Sequence, residues 1–298
     1  MVEKLVGSTT VVLARPSPTN PFQFVPAEHL FGAEYAEPIP QLVDSITRRK
    51  ISNTPQDRVL FAVNSASEKW ERVGYIDADM RPILSEVMFR LPEWRSGNTE
   101  DRAAFFAGLL GHEVRSIHHL ALRELDLLEY GELKSLGLEV DATQIMARLN
   151  ILSETDLTPI RVLLLGLSSA PGLENFFRKR VEVNSRIDGP MLGAYAIALL
   201  EYGDAASVEW LVHSQLAIAT VSSQSRSALV GALALHDREG NQKYKSDIRT
   251  ELAKAVLVDS ELAFLVNSHF QLSDTDEPNV ADLPLFVFGK LNSQPNDP

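Results

Sequence analysis

The chain has 298 residues, 45% of them hydrophobic and 23% charged, and its acidic excess gives a formal charge of −12. That balance supplies a core but repels phosphate backbones, so non-specific nucleic-acid binding is disfavoured, and no basic amphipathic stretch points to a membrane surface. The absence of cysteine excludes disulfides, thiolate metal sites and a cysteine nucleophile.

No window reaches the roughly 18 unbroken apolar residues of a membrane span. Met1–Leu13 lacks the basic start, apolar centre and small-residue cleavage site of a signal peptide. Cytoplasm is therefore the default compartment; an upstream leader, since removed, would make the protein periplasmic or exported.

Residues 1–78 read as a small β domain. Thr9–Ala14 is rich in β-branched residues and ends at Pro16 and Pro18. Phe22–Val25 alternates, with Pro21 and Pro26 marking its limits or a sheet edge, and Ile39–Val43 is a third short strand. Arg58–Val63 and Trp70–Ile76 flank a polar loop as a hairpin. Five short strands with Pro-rich connections predict a sandwich or barrel. Arg48-Arg49-Lys50, after the third strand, reads as a solvent loop.

At Asp77 the period changes to helical, and residues 79–271 read as an all-α array. Asp79 opens a helix with Pro82 in its first turn and Pro92 as its stop. Asn98 or Thr99 caps the next. Glu113–Leu128 is the clearest amphipathic helix, with Val114, Ile117, Ala121 and Leu125 on one stripe and Arg115, His119 and Arg123 opposite. Tyr130–Leu136 is a short link, and Asp141 with Gln144 forms a capping-box pattern. Thr158-Pro159 opens Ile160–Leu167, apolar nearly all round and hence expected to be central. Further helices start at Pro171-Gly172, Met191, Asp204 and Ser222 or Ser223, and two more run through Tyr244–Val256 and Glu261–Phe270.

Three of these segments recur at a spacing of about 34 residues, the length of one helix pair in a repeat array. They begin at Arg161 (RVLLLGLSSAPGLENFF), Ala194 (AYAIALLEYGDAASVEWL) and Ser227 (SALVGALALHDREG). Over about residues 99–270 the chain resembles HEAT-type α-solenoids. The order of parts also resembles an uncharacterised bacterial group with a small N-terminal β domain. The strand Val11–Arg15, the RVLFAV–WERVGYI hairpin and Leu120–Leu125 carry that resemblance. It implies an α+β chain with a solenoid of about five helix pairs and a curved surface for protein contact, and it carries no activity. HEAT-like DNA glycosylases use a basic concave face that this acidic chain lacks, and no residue pattern matches the bilin lyases.

Chemical motifs are sparse. His112, His118 and His119 do not make His-Glu-x-x-His, so no zinc site is expected. Gly166-Leu167-Ser168-Ser169-Ala170 is not a nucleophile elbow, and there is no phosphate loop or dinucleotide fingerprint. No cofactor is implied. Arg115, His119 and Arg123 form a ridge that could receive a carboxylate or phosphate, although solvated charge is its simpler reading. Residues 272–298 are an acidic tail with an apolar strip, 283–291 (LPLFVFGKL), expected to pack on the body.

The resulting expectation is a non-catalytic scaffold binding a protein or peptide, through Arg115, His119, Arg123, Arg161, Phe286 and Phe288. One alternative is an enzyme with an atypical polar site built from Arg115, His119 and Arg161. Another is a structural assembly subunit.

Overall fold

A computed structural model of the protein describes residues 1–270. The acidic tail, with its strip 283–291 and therefore Phe286 and Phe288, lies outside the described residues. The fold is α+β: five antiparallel strands, then helices. The chain divides into two compact units between Glu124 and Leu125. No helix among the described residues is long and apolar enough to cross a membrane.

In the first unit the strands are β1 (Ser8–Pro16), β2 (Gln23–Phe31), β3 (Ile39–Leu42), β4 (Arg58–Asn64) and β5 (Trp70–Ile76), in the order β3-β2-β1-β4-β5. This is one curled sheet, without the second sheet a sandwich requires. Its two edges approach each other: the Gln41 amide of β3 donates to the Trp70 carbonyl of β5 at 2.7 Å, and Tyr35 meets Trp70 edge to face. One sheet face buries Val12, Ala14, Phe24, Ile39, Val59 and Phe61. The other buries Val11, Leu13, Leu60 and Ala62. A central strand covered on both faces explains why β1 reads as an unbroken apolar run. β2 runs on past Pro26, where a strand limit or sheet edge is expected; Pro26 pairs with Ala14 beside a register shift, a place where a missing N–H is tolerated.

Two helices of this unit escape the sequence reading. α1 (Val2–Val6) packs on β1, β4 and β5 through Val2 and Leu5. α2 (Ser45–Asn53) contains Arg48-Arg49-Lys50, which is therefore helical and not loop. α3 (Met80–Arg95) continues through Pro92, because Leu91 and Trp94 on its last turns are buried and the Trp94 indole donates to Asp101 at 2.8 Å. α4 (Thr99–Gly108) is capped by Asn98, and α5 (Arg115–Leu125) starts two residues later than the periodicity implies.

The second unit comprises α6 (Tyr130–Ser135), α7 (Ala142–Arg148), a 3₁₀ turn (Leu152–Leu157), α8 (Thr158–Leu167), α9 (Glu174–Arg186), α10 (Leu192–Tyr202) and α11 (Ala205–Leu211). After a π-helical turn (Val212–Leu216) follow α12 (Ser223–Glu239), α13 (Lys245–Val258) and α14 (Leu262–Phe270). Asp141, Asp204 and Ser222 each accept backbone N–H bonds at a helix start, satisfying donors that have no partner within the helix. α8 packs on α10, α10 on α12 and α12 on α14, while α11 packs on α13. α8 is buried nearly all round, as its composition suggests, and α10 is equally enclosed.

Candidate binding surface and buried polar cluster

α2 forms because Asp44 caps it. The carboxylate accepts the Thr47 amide at 2.8 Å and the Thr47 hydroxyl at 2.6 Å. Arg72 of β5 donates to Asp44 and to Thr47, anchoring the helix start to the sheet. These bonds hold the Asp44 carboxyl well below the usual range, the Thr47 hydroxyl contributing most. Thr47 and Ile51, one helical turn apart, face inward, so the remaining residues of α2 point out.

That outward side is mixed in character. Leu42 is 82% exposed, Ile46 59% and Phe22 54%. Leu42 of β3 pairs with Gln23 of β2, and the Phe22 carbonyl accepts the Val43 amide at 2.9 Å. The Arg48 guanidinium lies 4.6 Å from the Phe22 ring centroid, and Lys50 lies 5.0 Å from that of Tyr75. Ser45, Ile46, Arg48, Arg49 and Ser52 line a groove of about 450 Å³. A second groove of the same unit, about 590 Å³, is lined by Gln56, Arg58, Asp77, Ala78, Arg81, Pro82 and Ser85. Arg81 is already paired there with Glu28.

In the second unit a different constellation is enclosed. Glu201, near the end of α10, accepts the Tyr130 hydroxyl at 2.9 Å and the Lys134 ammonium at 2.7 Å. His236 of α12 is 1% exposed, and neither ring nitrogen has a hydrogen-bond partner among the described residues. Glycines let the groups close in: a Cβ on Gly240 would fall 1.8 Å from His236 Nδ1, and one on Gly131 2.7 Å from Glu239 Oε2. Burial, then the Glu201 charge, raise the Tyr130 pKa, so its hydroxyl remains a donor. A cavity beside Tyr130, bounded also by Leu125, Leu133, Ile160 and Leu163, holds about 10 Å³, room for roughly one water.

Burial also brings the His236 pKa down from 6.5 to about 4, outweighing the attraction of Glu201, whose Oε2 lies 3.9 Å from Nδ1. The imidazole is neutral at pH 7, so that approach is not an ion pair. The unfolded chain takes up this proton near pH 6.5 and the folded chain only near pH 4. Stability from this group is therefore complete above about pH 6.5 and is lost as pH falls through that window, by on the order of 3 kcal/mol. Urea unfolding at several pH values between about 7 and 4.5 checks this. His236→Leu should flatten the slope, and coincident slopes for the two proteins would assign the effect elsewhere.

The residues singled out from the sequence are dispersed. Arg115 and Arg123 are exposed on α5 with His119 half-buried between them. Arg161 lies in the second unit, fully buried, its guanidinium ion-paired with the buried Glu154. It offers no charge to a partner. His112 precedes α5 and accepts the Val114 amide at 3.0 Å, while His118 Nδ1 lies 2.6 Å from the Leu110 carbonyl. Neither the α2 surface nor His236 is among those sequence-derived residues. Asp44 followed by Thr47, a helix-start signature, marks α2 in the sequence; His236 has no comparable local signal.

No family model matches the chain, and neither a curated protein nor a solved structure does.

Proposed function

We propose that the protein is a non-catalytic binding module whose α2 surface takes an acidic, apolar-anchored segment of a partner protein. The observation behind this is exposed Ile46 sharing a groove with Arg48 and Arg49, with Arg48 over the exposed Phe22 ring, on a chain of net charge −12. Exposed apolar side chains grouped together mark interaction sites, and aromatic and arginine side chains are the types enriched there. A local cationic edge on an acidic protein selects acidic partners and repels other copies of itself. A nine-residue helix on an acidic body is a poor membrane binder, which favours a peptide over a lipid surface.

The helical packing supports a companion reading of the second unit as a solenoid. α8, α10, α12 and α14 are successive neighbours in one row, and α11 and α13 are neighbours in another. That alternation is what stacked helix pairs produce. In this reading the Tyr130–Glu201–His236 cluster fixes helix register. The burial of His236 and the Tyr130–Glu201 hydrogen bond between separate helices support such a role.

A fluorescein-labelled peptide alternating Asp/Glu with Leu/Phe serves as the probe in fluorescence polarisation. Saturable binding is expected, weakened at least tenfold by Ile46→Asp and by Arg49→Glu, and reduced by salt as a rim charge demands. Binding indifferent to both substitutions would sink the α2 assignment. So would sedimentation with phosphatidylserine vesicles in place of peptide binding.

A further inference from the structure

Among the described residues the row of helices in the second unit ends at α14, where large apolar side chains are exposed. α8, α10 and α12 belong to a continuous row, and α14 packs chiefly on α12 and α13. Its sequence, LAFLVNSHF, is apolar on more than one side, yet only Leu262 is fully buried. Phe264 is 78% exposed, and at the end of α13 Leu257 and Val258 are 88% and 87% exposed. Terminal elements of stacked arrays ordinarily present a polar outer face. This one does not, and three large apolar side chains so exposed call for a cover.

The chain itself supplies a fitting occupant. Twenty-eight residues follow Phe270, and among them 283–291 read LPLFVFGKL, a strip whose own exposure to water would be unfavourable. Twelve residues lie between Phe270 and Leu283, thirteen Cα–Cα steps in all. That linker can span up to about 45 Å when extended. Phe264 lies six residues before Phe270, about 9 Å along the helix axis, so reach imposes no limit. The intervening acidic residues Asp274, Asp276, Glu277 and Asp282 suit a solvated connection. We propose that residues 283–291 cover the open face of α14, with Phe286 and Phe288 seated against Phe264, Leu257 and Val258, so that the tail caps the helical row.

The lack of native cysteine makes the test clean. Asn267 and Ser268, both exposed, lie three and four residues after Phe264 and share its face. The full chain carrying Val287→Cys with either Asn267→Cys or Ser268→Cys is oxidised at low protein concentration. Its disulfide is then mapped by peptide mass. An intramolecular bond is expected in at least one pairing. Disulfide-linked dimers would mean that a second copy covers the face, and no bond in either pairing would mean that the tail does not; either overturns the proposal. Should the paired-cysteine chains fail to fold, hydrogen exchange on the Phe286→Ser, Phe288→Ser chain decides. Exchange across α14 at least tenfold faster supports the cap, and unchanged exchange overturns it.

Discussion

Glu154→Ala should destabilise the second unit by about 3–5 kcal/mol, because it leaves the Arg161 guanidinium charged and unpaired in the core. Arg161 is 0% exposed and Glu154 1%. Besides the Glu154 carboxylate, Arg161 has the Arg148 carbonyl at 3.4 Å, while its Nε has no partner among the described residues. Arginine does not escape by losing its proton, since its pKa lies far above neutrality. The penalty is therefore desolvation of a full positive charge, larger than the loss of an ordinary hydrogen bond. Replacing both partners tests the cause. Glu154→Leu with Arg161→Met removes two buried charges and their mutual attraction together, so it should recover most of the loss. Urea denaturation of the single and double variants makes the comparison. A Glu154→Ala protein as stable as the parent would show that water reaches Arg161.

The same pair shows where sequence reading stops. Arg161 sits in an apolar helical run, and a cation there is naturally assigned to a surface or an inward-facing site. Its partner lies seven positions earlier in a 3₁₀ turn, where Glu154 departs from helical backbone geometry (φ −130°, ψ 19°). Helical periodicity does not anticipate that turn. Local signals, in contrast, were legible: the existence of five strands and the caps at Asp141 and Asp204 rest on short-range chemistry, Asn98 and Ser222 are each one of two adjacent candidates, and only β2 extends well beyond its expected limit. α2 was obscured because its buried side holds only Thr47 and Ile51, leaving three consecutive cations to dominate the pattern. His236 was hidden for another reason. Its environment depends on Glu201, 35 residues away, and on glycines whose role emerges only when helices meet.

Gly166→Val should destabilise the protein by about 3 kcal/mol, and Gly166→Ala by less, against what helix propensity alone predicts. Alanine in a helix interior is favoured over glycine by about 1 kcal/mol. At this position, however, α8 and α10 approach so closely that a Cβ on Gly166 would lie 2.6 Å from Ala198 Cα and 3.1 Å from its carbonyl oxygen. Those are backbone atoms of a buried helix, so no rotamer change relieves the contact; the helices must separate. Overpacking a well-filled core costs roughly 1–3 kcal/mol, occasionally more, which exceeds the propensity gain. Valine adds two methyl groups to a gap that does not hold one. Ala198→Gly removes only the Cβ that would lie at 2.9 Å, leaving Cα and the carbonyl in place, so it should rescue Gly166→Ala in part and Gly166→Val hardly at all. Thermal unfolding of this series ranks the contacts. An increase in stability for Gly166→Ala would mean that α8 and α10 sit farther apart, and the row built on their contact would lose its tightest crossing.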